Sequence, residues 1–264
     1  MAFEQLKARQ GEVWGAGDFA KVAETLADVH DALVDRLDPQ PGERWLDIAS
    51  GTGGVAERAA ARGADVTGID LAPALVETAR RRAEERGLAI RYAVGDAERL
   101  DVPDASFDVA SSSFGLIFAP AQAAAAAELA RVVRPGGRMG LANWTQVGAI
   151  GGFFRMLSPF QPPPPEGAGN PMAWGDEAHV ESLLGDAFEL SFEPLVSTYR
   201  AASPQAAWDD FTENFGPMKA TVASLEPDRL DELHAAWLAY FEQYRDDDGV
   251  AQPREYVLVR GIRR

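Results

Sequence analysis

Carboxylates at the ends of apolar runs, with a glycine-rich turn between two of them, are the residues of this chain best suited to holding a ligand. Residues 45–56, WLDIASGTGGVA, read as a strand entering a turn and then a helix. Gly51 and Gly53 let the backbone come close to a ligand at the helix N-terminus, where free N–H groups converge. With Ala56 they also match the GxGxxG/A pattern of dinucleotide sites, so the turn alone leaves the ligand open. Asp47 stands just before the turn. There its carboxylate would repel a pyrophosphate, but could orient the loop or favour a cationic amino-acid end. Asp70 follows Gly51 by 19 positions, a place from which a carboxylate accepts from both hydroxyls of a ribose; NAD sites share it. Gly95-Asp96-Ala97 follows a third run, and a carboxylate there can accept from an adenine amino group in the same crevice. Asp47 and Asp70, each taken alone, read equally well as strand-end or capping residues. Their joint occurrence with Asp96 points to a nucleoside ligand with a positive end.

The elements that must position these residues follow from the apolar pattern. Strands are predicted at 44–48, 65–69, 89–94, 107–113 and 137–143, with helices at 54–62, 73–87 and 121–133 between them. Such alternation builds a parallel sheet flanked by helices. Ahead of it, Val22, Leu26, Val29, Leu33 and Leu37 recur at steps of three and four. Residues 18–37 therefore read as one amphipathic helix with Asp18 as N-cap. The second half differs: a Gly/Pro-rich loop at 158–171 holds the tetraproline 162–165, a short helix follows at 176–184, and strands are predicted at 187–200 and 255–262. Between those strands lie helices at 204–215 and 227–244, separated by the Gly216-Pro217 break.

Composition narrows the function classes. The 25 basic and 41 acidic residues leave a net charge of -16, so nucleic acid would meet long-range repulsion and is not expected as a partner. Arg80, Arg81 and Arg82 are followed at once by Glu84 and Glu85, the pattern of a solvated helix face. With no cysteine, disulfides, thiolate metal sites and cysteine nucleophiles are excluded. His30, His179 and His234 are scattered, so no metal site is expected. No signal-peptide pattern and no membrane-length apolar run is seen, so no membrane is expected and the cytoplasm is the expected location.

The chain resembles the class I S-adenosylmethionine-dependent methyltransferases, and within them the ubiquinone/menaquinone-biosynthesis (type 11) branch. The resemblance rests on LDIASGTG at 46–53, VTGIDLAP at 66–73, GDAERL at 95–100, SFDVASSSFGLIFAP at 106–120 and LARVVRPGG at 129–137, in that order over about residues 40–145. It implies a Rossmann-like, doubly wound α/β sheet of about seven strands, the last antiparallel. An N-terminal helical segment and a helical insertion before the last strand complete that fold. One methyltransferase domain would span 1–264: a helical cover (1–40), a cofactor-binding core (40–145) and acceptor-side segments (146–264).

Carried over, the resemblance implies that Gly51, Thr52 and Gly53 contact the methionine part of S-adenosylmethionine and that Asp70 holds the ribose. Asp96 and Ala97 would sit at the adenine, and Ser113 and Phe114 would line the floor where the methyl group points. Asp47, Ser50 and Leu71 complete the cofactor-binding set. Ala49 stands where the family often has its first glycine.

Transfer from a sulfonium needs alignment of donor and acceptor and exclusion of water, with no nucleophile from the protein. A base would be needed only for some acceptors, and His179, Tyr199, His30 or a carboxylate are the open choices, so no catalytic residue is assigned. The acceptor is expected to be a small, largely apolar metabolite, quinone-like compounds being an example, methylated on O, C or N. A NAD-dependent oxidoreductase is the alternative, disfavoured by Asp47, Asp96 and the lack of a YxxxK pair. A non-catalytic S-adenosylmethionine-binding module is the third reading, against which stands an unbroken cofactor motif. The oligomeric state is left open. Trp14, Phe114, Trp144 and at least one of Phe211, Phe215 and Met218 are expected to line one cavity. The competing reading makes Phe114, Trp144, Phe153, Phe154, Trp208, Phe211 and Phe215 ordinary core.

Overall fold

Strand β1 (Arg44–Ile48) is buried from its second residue onward, which requires helices over both faces of the sheet. In the computed structural model, which describes residues 3–264, they are provided. Helices α1 (Glu4–Trp14), α2 (Phe19–Glu24) and α3 (Ala27–Leu37) precede β1. Then come α4 (Gly54–Ala61), β2 (Asp65–Asp70), α5 (Pro73–Glu85), β3 (Ile90–Val94), β4 (Phe107–Ser113), α6 (Gln122–Val132) and β5 (Val133–Trp144). Helices α7 (Gly148–Leu157) and α8 (Glu177–Leu184) lead to β6 (Phe188–Ala201). Three more, α9 (Pro204–Asn214), α10 (Gly216–Ser224) and α11 (Pro227–Glu242), precede β7 (Arg245–Asp246) and β8 (Gly249–Arg263).

The sheet runs β3-β2-β1-β4-β5-β8-β6, with the short β7 paired to β8. Strands β1 to β5 are parallel, and β8 runs antiparallel between β5 and β6. The chain leaves β1 towards β2 and β3, then returns to its other side as β4. The order thus reverses between β1 and β4, and a crevice opens beyond their carboxyl ends. The register sets Asp47 beside Gly68 on one side and Ser111 on the other. Trp45, Leu46, Ile48, Val66, Val109 and Leu141 fill the centre of the core around these strands.

The predicted alternation of the first half is present, with ends moved by a few residues. Elsewhere the structure departs from the apolar pattern. The helix expected over 18–37 is two helices, and the Asp18 side chain makes no cap. The break at Thr25 frees its carbonyl to accept from Arg254, a charged partner outweighing one more intrahelical bond. Helix α1 has no apolar stripe to announce it, because the residues it buries are Lys7 and Gly11. Helix α7 carries three glycines, at 148, 151 and 152, which suppress helix propensity. A distant residue caps it instead: the Glu255 carboxylate accepts from the N–H groups of Ala149 at 3.0 Å and Ile150 at 3.1 Å, as helix N-termini favour. Where only a Gly216-Pro217 break was expected, helix α10 begins at that pair, with proline in its first turn where no N–H is needed. Among the described residues, no helix is long and apolar enough to cross a membrane.

Candidate functional site

The turn after β1 is built from left-handed residues: Ala49 at φ 53°, Gly51 at 54° and Gly53 at 89°. Glycine suits two of these positions; alanine at the third costs roughly 1 kcal/mol or more. Room for its methyl comes from Gly115, where a Cβ would lie 2.5 Å from the Ala49 Cβ. Phe114, at the end of β4, is also left-handed (φ 59°) and stacks on Trp144 with ring centres 3.5 Å apart. Two strained non-glycine residues thus end the strands on either side of the crevice, and such strain gathers at functional sites.

Asp70 closes the turn from β2. It accepts from Gly51 N–H at 2.7 Å and Ala72 N–H at 2.8 Å. Burial raises its pKa, against the pull of those backbone donors. Asp47 is held by a relay in which Trp45 Nε1–H donates to Ser111 Oγ at 2.8 Å and Ser111 Oγ–H donates to Asp47 Oδ1 at 2.8 Å. The other oxygen, Oδ2, is buried without a partner. Burial pushes the Asp47 pKa up to about 7; the Ser111 hydrogen bond and the Ala56 backbone N–H oppose this, and the nearby Asp70 charge adds to it.

Between pH 5 and 6 the folded protein therefore holds a proton on Asp47 that an unfolded chain, with a carboxyl pKa near 4, has released. Stability from this group is complete below about pH 4 and is lost as the pH rises through about 7. Asp47→Asn, which cannot titrate, should remove that contribution. Wild type should lose about 1 kcal/mol relative to the variant between pH 5 and 6, read from urea melts. Parallel pH dependences in the two proteins would count against a protonated Asp47.

Asp96 follows β3. Its Oδ2 pairs with Lys7 Nζ at 2.7 Å, and its Oδ1 accepts from Glu98 N–H at 2.9 Å. Lys7 also pairs with Glu98. Burial lowers the Lys7 pKa, yet the hydrogen bonds and charges of Asp96 and Glu98 leave it raised. A clamp therefore joins α1 to the loop after β3.

These groups border one cleft of about 1530 Å³, counted out to its open mouth. Asp47, Ser50, Gly51, Thr52, Asp70, Leu71, Asp96, Ala97, Ser113 and Phe114 all line it. Gly53 does not: it stands behind the turn, where a Cβ would collide with the Tyr92 hydroxyl. Four buried polar atoms of lining residues have no protein partner: Asp47 Oδ2, Ser50 Oγ, Thr52 Oγ1 and Ser113 Oγ. Buried polar groups are nearly always satisfied, by ordered water or by a ligand, and these atoms offer a polar ligand in the cleft both donors and acceptors.

The remaining walls are aromatic. Trp14, Trp144, Phe153, Phe154, Phe211 and Phe215 border the same cleft with Phe114, so the aromatic residues expected to meet do so. Trp14 packs on Phe118 at 4.9 Å and on Phe215 at 5.5 Å. Met218 is buried outside the lining, and Trp208 lies behind it, against His234 and Trp237. Of the base candidates, the carboxylates Asp47, Asp70 and Asp96 border the cleft, and so does His30. Burial, helped by the Arg58 charge, lowers its pKa to about 3, so it is neutral and a weak base. His179 contacts Gln122 Oε1 at 3.0 Å and Tyr199 donates to Asp210 Oδ2 at 2.9 Å; neither lines the cleft.

Sequence reasoning missed Lys7, Phe19, Gln252 and Arg254, all of them lining residues. The last two were lost because the final strand was expected to begin at 255, whereas β8 begins at Gly249. Residues 250, 252, 254 and 256 alternate in burial, but as Val, Gln, Arg and Tyr they make no apolar alternation that the sequence could announce.

The chain is similar to known proteins. Residues 46–141 match the family described as a methyltransferase domain. An uncharacterised protein of Mycobacterium tuberculosis is 34% identical over 99% of this chain and 96% of its own length. The demethylmenaquinone methyltransferase of Beutenbergia cavernae is 35% identical over 59% of this chain and 69% of its own. Phosphoethanolamine N-methyltransferase 2 of Haemonchus contortus, solved with S-adenosyl-L-methionine, shares the fold: TM-score 0.57 and 21% identity, over 89% of this chain and 52% of that one.

Proposed function

Since the chain belongs to the class I S-adenosylmethionine-dependent methyltransferases, we propose that it methylates an oxygen, carbon or nitrogen atom of a small, largely apolar metabolite. The observation that carries this reading is the single cleft that joins four orphaned polar atoms to a wall of aromatic side chains. The orphans fit the donor: Asp47 Oδ2 suits its ammonium group, and the hydroxyls of Ser50, Thr52 and Ser113 suit the carboxylate and nearby polar atoms. Asp70, already fixed by two backbone donors, has lone pairs left for both ribose hydroxyls. Asp96 and Ala97 would meet the adenine, with Lys7 holding the Asp96 carboxylate in place. Leu71 packs beside them, and Gly53 acts indirectly by shaping the turn.

S-adenosylmethionine supplies an electrophilic methyl group and leaves as a neutral thioether. The chain's part is to align an acceptor with that methyl over Ser113 and Phe114 and to exclude water with its aromatic walls. His30, neutral and a weak base, leaves proton removal to a carboxylate of the cleft or to solvent, and none is needed for an acceptor that arrives ionised.

Calorimetry and thermal melts with S-adenosylmethionine, S-adenosylhomocysteine and NAD test the proposal. The two adenosyl ligands are expected to bind and, at a hundred times Kd, to stabilise by about 2.7 kcal/mol, a shift of roughly 5–10 °C. Tight NAD binding with no response to either adenosyl ligand would overturn it. Incubation with a metabolite extract and labelled donor, read by product mass, then identifies the acceptor.

A further inference from the structure

Arg254 is a buried cation that makes no ion pair. It is 5% exposed, and its hydrogen bonds go to uncharged oxygens: Nη1 donates to Thr25 Oγ1 at 3.1 Å, and Nη2 to Ser197 Oγ at 3.0 Å and to the Thr25 carbonyl. Its Nε–H is buried with no partner at all. The Asp28 charge acts on it from a distance without an ion pair, and Ser197 stands between them, its Oγ–H donating to Asp28 Oδ1 at 3.0 Å. Proteins ordinarily pair a buried charge, because an ion removed from water and left alone is strongly unfavourable. Burial lowers the Arg254 pKa to about 10, which leaves the guanidinium charged at neutral pH.

Its position matters as much as its charge. Arg254 lines the same cleft as the turn after β1. In the sheet, β8 lies five strand spacings from β3, roughly 24 Å at about 4.8 Å per spacing, so Arg254 and Asp96 mark opposite ends. Trp144 connects the guanidinium to the middle of the cleft: the Arg254 Cζ is 6.0 Å from the Trp144 ring, and that ring stacks on Phe114. Three carboxylates, Asp47, Asp70 and Asp96, thus stand towards one end and one unpaired cation at the other. The whole chain carries a net charge of -16, so an anionic ligand needs a local positive group to enter.

We propose that Arg254 receives an anionic oxygen group of the methyl acceptor, which is an otherwise apolar, planar acid of the aromatic carboxylate kind. The inference rests on the methyltransferase reading above. With Nη2 engaged by Thr25 and Ser197, the free Nε–H supplies a single charge-assisted donor to an anionic oxygen, and Trp144 lies beside the guanidinium.

The test compares naphthoate with its uncharged counterpart naphthamide, by calorimetry on the full chain saturated with S-adenosylhomocysteine near neutral pH. Wild type is expected to bind naphthoate about tenfold or more tightly than naphthamide. Arg254→Gln should abolish that preference, and Arg254→Lys should keep part of it. Equal affinity of the two compounds for wild type, no naphthoate binding at millimolar concentration, or an undiminished preference in Arg254→Gln would each overturn the proposal. The wild-type comparison stands even where a variant fails to fold. If S-adenosylhomocysteine itself does not bind, the methyltransferase reading has failed; if it binds and the acid preference is missing, only the present inference has.

Discussion

Asp70→Ala is expected to weaken binding of S-adenosylhomocysteine by about 1–3 kcal/mol, a loss of roughly five- to 150-fold. The proposed ligand contacts are two charge-assisted hydrogen bonds from the ribose, and both lose their acceptor. The same carboxylate also receives the N–H groups of Gly51 and Ala72, so its removal loosens the turn that carries Ser50 and Thr52. Asp70→Asn keeps one amide oxygen as an acceptor and should fall between wild type and alanine. Calorimetry on proteins with intact melting transitions measures the effect. An unchanged dissociation constant in folded Asp70→Ala would remove Asp70 from the ribose site.

Trp237→Ala is expected to lower stability by about 3–5 kcal/mol, a fall of roughly 6–20 °C in Tm. Trp237 is fully buried and is the hub of the aromatic cluster, with ring centres 4.8 Å from Phe241, 5.2 Å from Phe211, 5.5 Å from Phe153 and 5.6 Å from Trp208. No partial collapse can refill an indole-sized void walled by rigid rings. Its Nε1–H is buried without a partner, so Trp237→Phe keeps most of the apolar contact, removes an unsatisfied donor and should cost far less. Phe153 and Phe211 also border the cleft. The alanine variant should therefore loosen the aromatic wall while S-adenosylhomocysteine, held from β1 and β2, still binds. A loss under 1 kcal/mol in urea melts would mean that α9 and α11 are not braced through this ring.

The cofactor end of the cleft was legible because its parts are short, contiguous pieces of chain. A buried strand, a turn that needs positive φ and a helix opening are each written in about a dozen residues, and the WLDIASGTGGVA segment contains all three. Gly53 shows the limit of that reading. Its type signals the turn correctly, but the sequence does not say that Tyr92 lies against it, and so it was counted with residues that face the ligand. Ala49 shows the same thing from the other side. An alanine in a left-handed turn looks like a defect until Gly115, 66 positions away, is found making room for its methyl.

By itself, then, the sequence determined the alternating strands and helices, the three aspartates at strand ends and the family, since each depends on neighbours along the chain. The tertiary structure alone decided which distant charged groups border the cleft. Lys7 reaches Asp96 across 89 positions, and Arg254 reaches Thr25 across 229. Neither sits in an apolar pattern, because each is buried for its charge and not for its hydrocarbon. Periodicity records only what the hydrophobic effect sorts. A buried charge is placed by the groups around it, and those are brought together only when distant segments fold against one another.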